Sequence, residues 1–193
     1  LPPAIEIEGD LPSVALARLA TSVYENGLGE FAYRNGLSLR DRIIFPSQAS
    51  SIAAKSVGLK AHALTAIGGG KDSLVSIETL RSASIDQTVT WIGSSPLIRA
   101  CAEKTELPTL AIGRQLAPAL FEFNKQGAWN GHIPVTAVNS AILVLAALLV
   151  GANQVVFSNE RSASYGSTIP GTGEVNHQWS KGWAFEKEFA AYI

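Results

Sequence analysis

The chain has 193 residues, of which 47% are hydrophobic and 16% charged, and this composition excludes disordered, collagen-like and coiled-coil proteins. Fifteen lysines and arginines stand against sixteen aspartates and glutamates, so the net charge of −1 provides no general attraction to nucleic acid or to an anionic membrane. The single cysteine, Cys101, excludes an intramolecular disulfide and is typical of a cytoplasmic protein. The apolar run 141–150 is far shorter than the ~20 residues of a membrane span, and we expect no membrane insertion. This run is predicted to form a core helix.

The first fifty residues have their own order of elements. Residues 4–8 alternate apolar and charged side chains, which predicts a half-buried strand. A helix should follow, with Ser13 as its N-cap and with Asn26 and Gly27 at its end. Residues 42–45 are predicted as a second short strand before Pro46. Residues 1–50 are therefore expected to form an N-terminal α+β appendage.

From residue 51 onward, short apolar strands alternate with helices. This order is typical of a doubly wound α/β domain, in which helices cover both faces of a mostly parallel sheet. The predicted strands are 64–67, 88–92, 109–112 and 154–157, and the helices begin near Ser73, at Pro96 and at Pro134. A helical pattern over 185–193 runs to the end of the chain, so the domain 51–193 is expected to be truncated there. In such a domain, ligands bind beyond the carboxyl ends of the strands.

A glycine-rich loop follows the first strand of this domain. Gly68, Gly69, Gly70, Lys71, Asp72 and Ser73 join the strand to a helix. Glycines let backbone N–H groups approach an anion, and a helix N-terminus adds partial positive charge, so the loop is predicted to bind phosphate. Ser94, in the turn after the second strand, is a further candidate ligand of the same nucleotide.

Three kinds of phosphate-binding loop can join a strand to a helix in this way. A Walker A loop does not fit, because Thr65 occupies its first glycine position and Asp72 its hydroxyl position. A dinucleotide fingerprint fits Gly68 and Gly70 but has Ser73 as its third member and lacks the acidic ribose ligand. The segment resembles the S-G-G-x-D-S loop of the ATP pyrophosphatases, with Gly68 in place of the first serine. The alternative is a glycine-rich turn in which Asp72 or Ser73 caps a helix.

The ATP pyrophosphatase resemblance implies ATP and Mg²⁺ as ligands. In this interpretation Ser73 and the amides of Gly69 and Gly70 hold the leaving pyrophosphate, Lys71 supplies charge, and Asp72 is the candidate metal ligand. It also implies a sheet of the adenine-nucleotide alpha hydrolase type, also called the PP-loop type.

A second polar constellation flanks a Gly/Ser/Thr-rich segment that ends at Gly173. Five polar residues, 158–162, follow the fourth strand, and the segment 174–181 concentrates hydrogen-bonding side chains. The segment between them is predicted to be a mobile loop of the kind that forms lids. The alternative is a solvated loop whose Trp179 only packs.

Four strings, IGGGKDSLVSIETL, GHIPVTAVNSAI, VVFSNERSAS and VNHQWSKGWAFE, carry a wider resemblance. From about Phe31 to its end, the chain resembles the UDP-N-acetylmuramoyl-L-alanyl-L-glutamate epimerase family of bacterial cell-wall synthesis. The resemblance implies a UDP-MurNAc-dipeptide and ATP as substrates. The terminal L-Glu would be activated as an acyl adenylate, inverted at Cα without pyridoxal phosphate, and released with AMP and pyrophosphate.

The same resemblance implies roles for named side chains. Inversion needs one or two acid/base groups at Cα, and His177 is the first candidate and His132 the second. Lys181, Glu160 and Arg161 are candidates for stabilising an enolate or a substrate phosphate. His132 has a structural alternative as part of a helix entrance, and His62 is expected to be structural.

Two other functions remain open at this point. The loop could serve another adenylating enzyme, such as an amide synthetase or an RNA-thiolating enzyme. A thiolating enzyme usually needs a cysteine pair, and the near-neutral charge argues against an RNA substrate. The second alternative is a non-catalytic module that binds ATP as a signal.

Overall fold

A computed structural model describes residues 4–49 and 55–193 of the chain. These residues belong to two compact units. The first unit is formed by the described residues up to Lys55 together with residues 124–137 and 161–193, and the second by residues 56–123 and 138–160. The predicted boundary between residues 50 and 51 lies outside the described residues. Each unit combines segments from separate parts of the chain, whereas the prediction divided the chain at a single point.

The second unit is an α/β structure with a four-stranded sheet. Its elements are β1 (Lys60–Ala66), α3 (Lys71–Ser82), β2 (Gln87–Ile92), α4 (Pro96–Glu103), β3 (Thr109–Ile112), α5 (Pro118–Lys125), α6 (Val135–Val150) and β4 (Ala152–Val156), where α5 and α6 each extend into the first unit. All pairs are parallel and the strand order is β3-β2-β1-β4. The predicted α/β class and the four predicted strands are confirmed, with small shifts at their ends.

Helices cover both faces of this sheet. On one face, Ile77 of α3 and Ala102 of α4 pack against Val89 and Trp91 of β2, with the half-buried Cys101 at the edge of the same core. On the other face, the core contains Ala147 of α6 together with side chains of β1 and β4. The side chains of β2 contribute to the first core, and those of β1, β3 and β4 to the second, because successive side chains of a strand point to opposite faces of the sheet.

A buried polar network attaches α3 to the sheet. The Thr65 hydroxyl donates to Oε1 of Gln87 at 2.9 Å, and Nε2 of Gln87 donates to the Ile77 carbonyl at 2.9 Å. Both side chains are buried, so these bonds avoid the cost of unsatisfied polar groups inside the unit. The network ties β1 and β2 to the middle of α3.

Helix α6 is apolar on two faces. Leu143 and Ala147 are buried, whereas Leu145 and Leu149 are 59% and 79% exposed. The prediction of a core helix is therefore correct for one face only, because residues at i and i+4 lie on the same side of a helix. Within the described residues, every helix falls short of the length and hydropathy that crossing a membrane requires.

The first unit is mainly helical. It contains α1 (Val14–Gly27), α2 (Gly29–Arg34), α7 (Trp183–Tyr192), 3₁₀ helices at Arg161–Ser164 and Trp179–Lys181, and an antiparallel pair of strands, β5 (Ser167–Ile169) and β6 (Gly173–Val175). Its core joins Leu19 of α1 to Phe185 of α7. The predicted N-cap of α1 is confirmed, since Oγ of Ser13 accepts from the Leu16 N–H at 3.2 Å.

The two strands predicted in the appendage are wrong. Residues 4–8 and 42–45 are not in strands, although Ile5, Ile43 and Phe45 pack around Ala32 and Leu39. The described segments contain only one isolated bridge nearby, between Ser13 and Gln48. The alternating pattern therefore indicates which side chains are buried. It cannot supply the neighbouring strand that a sheet requires.

The segment predicted to be a loop before Gly173 also differs. It contains the first 3₁₀ helix and the β5–β6 hairpin, whose short connection includes Gly171 at φ +77°. A glycine with positive φ is typical of tight hairpin connections. The prediction of a loop without regular structure is therefore wrong for these residues. Helices α2 and α5 were not predicted.

Candidate functional site

A cavity of about 320 Å³ lies at the carboxyl ends of the strands in the second unit. Its walls come from the residues that end or follow β1, β2 and β4, with α4 and α6 completing them. The strand order places β1 in the centre, between β2 and β4, so the direction in which strands are added reverses beside β1. Such a reversal is the place where open α/β sheets bind their ligands.

The glycine loop forms one wall of this cavity. Gly70 has an extended conformation and is the N-cap of α3, and Gly69 has a φ of +83°, which favours glycine. Gly68 and Gly70 line the cavity, and a Cβ built on either would meet no protein atom within 4 Å. The protein's own packing therefore does not require glycine there. The absent side chains leave the backbone open to a ligand at a helix N-terminus.

The three residues that follow the glycines occupy different positions. Asp72 and Ser73 line the cavity, while Lys71 is exposed and its Nζ lies 2.5 Å from Oδ1 of Asp72. The hydrogen bond and the charge of Asp72 raise the pKa of Lys71, and the charge of Glu160 adds to this effect. The Ser73 hydroxyl donates to the Gly70 carbonyl at 2.8 Å, which closes the loop.

The remaining walls combine apolar and polar groups. The apolar residues are Ala66, Ile67, Trp91, Ile92, Ile98, Leu143 and Phe157, and the polar ones are Thr90, Asn139, Ser158 and Asn159. The Ser158 hydroxyl donates to the hydroxyl of Ser76 at 2.7 Å, which attaches the end of β4 to α3. Apolar walls with a few convergent polar groups are typical of small-molecule sites.

The predicted nucleotide ligand Ser94 lies outside this lining. It is exposed in the turn after β2, and its neighbour Ser95 caps α4 by accepting from the Ile98 N–H at 3.4 Å. Among the described residues that line the cavity, Asp72 is the one carboxylate, and the described chain holds no cluster of three potential metal-ligating side chains. A magnesium ion here would therefore take most of its oxygen ligands from substrate and water.

Two of the predicted acid/base residues meet in the first unit. The rings of His132 and His177 lie edge to face, with centroids 5.8 Å apart and planes at 86°. The His132 N–H donates to Oε2 of Glu30 at 2.6 Å, and Glu30 is also ion-paired with Arg34. The backbone of His132 is thus held against α2, while the ring of His177 is more exposed.

The surroundings of His132 favour its neutral form. Burial is the main cause that lowers the pKa of His132, and the charge of His177 lowers it further. The charge of Glu30 raises this pKa, and Lys181 has the smallest effect and lowers it. A neutral imidazole near pH 7 is able to accept a proton. The structure therefore brings the rings of His132 and His177 together, and Lys181 lies near enough to influence the pKa of His132.

The other predicted side chains lie elsewhere. Arg161 is exposed at the start of the first 3₁₀ helix, and Glu160 belongs to the second unit, where its charge acts on Lys71. His62 has the structural role expected of it, since its Nε2 is 2.9 Å from the Thr88 hydroxyl.

Two residues were missed from the sequence, one at the cavity of the second unit and one beside His132 in the first unit. Asn139 lines the cavity from α6, and Glu30 binds the backbone of His132. A polar residue inside the otherwise apolar segment of α6 was a signal for Asn139. Nothing in the local sequence indicated Glu30, because its partner is distant along the chain.

The chain is similar in sequence to a protein family and to several named proteins. The family model described as the MurL N-terminal domain matches residues 1–193. A UDP-N-acetyl-alpha-D-muramoyl-L-alanyl-L-glutamate epimerase of Xanthomonas oryzae pv. oryzae is 70% identical over the whole chain, which spans 43% of that protein. Proteins with the same name from Salinispora tropica and a Micromonospora species are 46% and 45% identical over 85% and 87% of the chain, covering 36% and 38% of their own lengths. No solved structure is significantly similar.

Proposed function

Because this chain belongs to the MurL N-terminal domain family, we propose that it contributes the ATP-binding and proton-transfer groups of an epimerase acting on UDP-MurNAc-L-Ala-L-Glu. The relatives that carry the epimerase name are more than twice as long as this chain, so the proposal concerns the part of the reaction that its residues can perform. The products would be the D-Glu epimer, AMP and pyrophosphate.

The cavity beside β1 is the observation that carries the ATP part of the proposal. It has the features a nucleoside triphosphate needs: backbone N–H groups at a helix N-terminus, glycines open to a ligand, apolar walls and one carboxylate. These features, with the segment GGGKDS, support the PP-loop type of nucleotide site over a turn that only caps a helix.

Activation of the glutamyl carboxylate would proceed by adenylation. A carboxylate oxygen attacks the α-phosphorus of ATP, the bond between the α-phosphorus and the bridging oxygen to the β-phosphate breaks, and pyrophosphate leaves. The acyl adenylate lacks the negative charge that a free carboxylate places beside Cα, so removal of the Cα proton becomes easier. Hydrolysis after inversion restores the carboxylate and releases AMP.

The glycine loop would hold the departing pyrophosphate. The amides of Gly69 and Gly70 act as donors, and the ammonium of Lys71 adds positive charge. The Ser73 hydroxyl becomes a third donor when it turns from the Gly70 carbonyl to the phosphate. Asp72 is the residue that would hold Mg²⁺, which when bound neutralises phosphate charge. Glu160 stands close enough to influence Lys71 electrostatically, and we assign it a supporting role in orienting this ammonium.

The histidine cluster would exchange the Cα proton. His132 accepts or returns a proton through its neutral ring, and His177, as the more exposed of the pair, is the first candidate to contact the substrate. Lys181 and the exposed Arg161 supply positive charge to an enolate or to a substrate phosphate.

Separation of the nucleotides after turnover tests the proposal. The protein is incubated with MgATP, with and without UDP-MurNAc-L-Ala-L-Glu, and the products are resolved by chromatography. AMP and pyrophosphate should form only with the dipeptide present. ADP as the main product would exclude adenylation, and AMP formed equally with other carboxylates would indicate a different adenylating enzyme. ATP binding without any turnover would favour a non-catalytic module.

A further inference from the structure

Asn139 combines two features that its neighbours do not share. It lines the cavity beside β1. Among the side chains of the described residues, its Oδ1 is the one buried oxygen or nitrogen atom that has no hydrogen-bond partner. It is also one of three polar residues, with Thr136 and Ser140, in the otherwise apolar helix α6. Most buried polar atoms in folded proteins have a partner, so this exception needs an explanation.

The position of Asn139 indicates a ligand as the missing partner. A carbonyl oxygen can only accept a hydrogen bond, so the partner must be a donor. The torsion that orients a terminal amide has broad minima, so Oδ1 can turn toward the cavity when a donor arrives. Leu143, one helical turn further along α6, lines the same cavity, so the oxygen stands beside an apolar wall.

We propose that Oδ1 of Asn139 accepts a hydrogen bond from the nucleoside part of the bound nucleotide and thereby contributes to its selection. This inference rests on the proposed binding of ATP in the cavity. Phosphate oxygens of ATP carry no hydrogens at neutral pH, so they cannot satisfy this acceptor. The donors that ATP does offer are the exocyclic amino group of the base and the two ribose hydroxyls.

Nucleotide analogues test this with the wild-type protein. Calorimetry is performed with MgATP and with three analogues: purine riboside triphosphate, 2′-deoxy-ATP and 3′-deoxy-ATP, each of which lacks one donor. One analogue should bind about tenfold more weakly than ATP, because it leaves the acceptor unpaired. Equal affinity for ATP and all three analogues would overturn the inference, whereas absence of ATP binding would overturn the proposed function as well.

The variant Asn139→Leu then tests whether Asn139 is the residue that binds the donor missing from the weaker analogue. The variant should bind ATP about tenfold more weakly and should no longer distinguish ATP from the selected analogue. Without ligand its unfolding temperature should be unchanged or higher, because leucine has a similar size and removes an unsatisfied buried oxygen. A purely structural role predicts the opposite: lower stability with analogue discrimination retained.

Asn153→Leu is the matched control. Oδ1 of Asn153 accepts from the His62 N–H at 3.2 Å, and Asn153 does not line the cavity. Its replacement should lower the unfolding temperature while the affinities for ATP and the analogues stay as in the wild type. Loss of discrimination in this control too would show that the effect is not specific to Asn139 and would overturn the assignment.

Discussion

The ring of His132 meets the ring of His177 edge to face, with centroids 5.8 Å apart. The two residues come from separate segments: His132 lies before α6 with its backbone bound to Glu30, and His177 follows the β5–β6 hairpin. Lys181 influences His132 electrostatically. This arrangement turns two isolated histidines into one cluster in which one ring is kept neutral by its surroundings.

Replacement of His177 by glutamine should separate activation from inversion. Dipeptide-dependent formation of AMP is expected to persist, whereas incorporation of solvent deuterium at Cα should fall by about 10² to 10⁴, since a positioned acid/base group is lost. Mass spectrometry of the recovered dipeptide measures the exchange. His62→Gln, at a histidine bonded to Thr88 in the second unit, is the control and should leave exchange unaltered. Near-normal exchange in His177→Gln would transfer the role to His132, and then to Lys181.

The lowered pKa of His132 predicts a pH dependence of stability. In the unfolded chain this residue takes up a proton near its ordinary pKa of 6.5, whereas in the folded state it does so only at lower pH. The unfolded state therefore binds more protons in that window, and the free energy of unfolding should decrease as pH falls from about 7 toward the folded pKa.

Urea denaturation of the wild type and of His132→Gln at several pH values between about 5 and 7.5 measures this contribution. The variant keeps the backbone N–H that binds Glu30 and lacks the titrating ring. Its stability should therefore depend less steeply on pH than that of the wild type. Parallel curves for the two proteins would contradict the assigned direction.

Asp72→Asn should weaken the binding of MgATP. The substitution neutralises the carboxylate that lines the cavity, and loss of an interaction with a charged group typically lowers affinity about ten- to a hundredfold. Calorimetry measures the affinity, and circular dichroism confirms that the variant is folded. Ser73→Ala should act in the same direction.

Glu78→Gln provides the matched control for Asp72→Asn. Glu78 lies on the same helix and makes an exposed ion pair with Arg81 at 3.5 Å, outside the cavity. The same change of charge at this position should leave nucleotide affinity within about twofold, because exposed pairs contribute little. If both variants bind ATP as the wild type does, the assignment of the glycine loop is wrong.

Gly131→Ala should destabilise the first unit. A Cβ at this position would lie 2.6 Å from the backbone Cα of Phe31, so the chain around His132 would have to shift. Overpacking of this kind typically costs about 1–3 kcal/mol of unfolding free energy. Thermal denaturation tests the effect, and Gly29→Ala is the comparison, because a Cβ there meets nothing within 4 Å and alanine favours the helix that Gly29 begins.

Several features followed from the sequence because their causes are local. The four strands of the parallel sheet are short apolar runs between glycines and helices, and their positions were predicted to within a few residues. The N-cap at Ser13 depends on a bond to an N–H three residues away. The glycine loop was recognisable because its conformation depends on residues that have no side chain.

Other features were decided only when distant segments met. Whether 4–8 and 42–45 form strands depends on a neighbouring chain that could accept their hydrogen bonds, and none of the described residues supplies one in a regular ladder. The hairpin β5–β6 formed in a segment whose composition indicated only a loop, because pairing of Ser167 with Val175 is a property of two strands together.

The site shows the same division. Residue types and their order in the chain were sufficient to predict Gly68 to Ser73 as a nucleotide loop and His132 and His177 as acid/base candidates. The strand order then placed β4 beside β1, and so brought Asn159 to the cavity that the glycine loop lines. Three features depend on the tertiary structure alone. They are the contact of His132 with His177, the hydrogen bond between His132 and Glu30, and the unpaired oxygen of Asn139. A linear pattern encodes which groups are available, while burial and partner choice arise from packing between segments far apart in the chain.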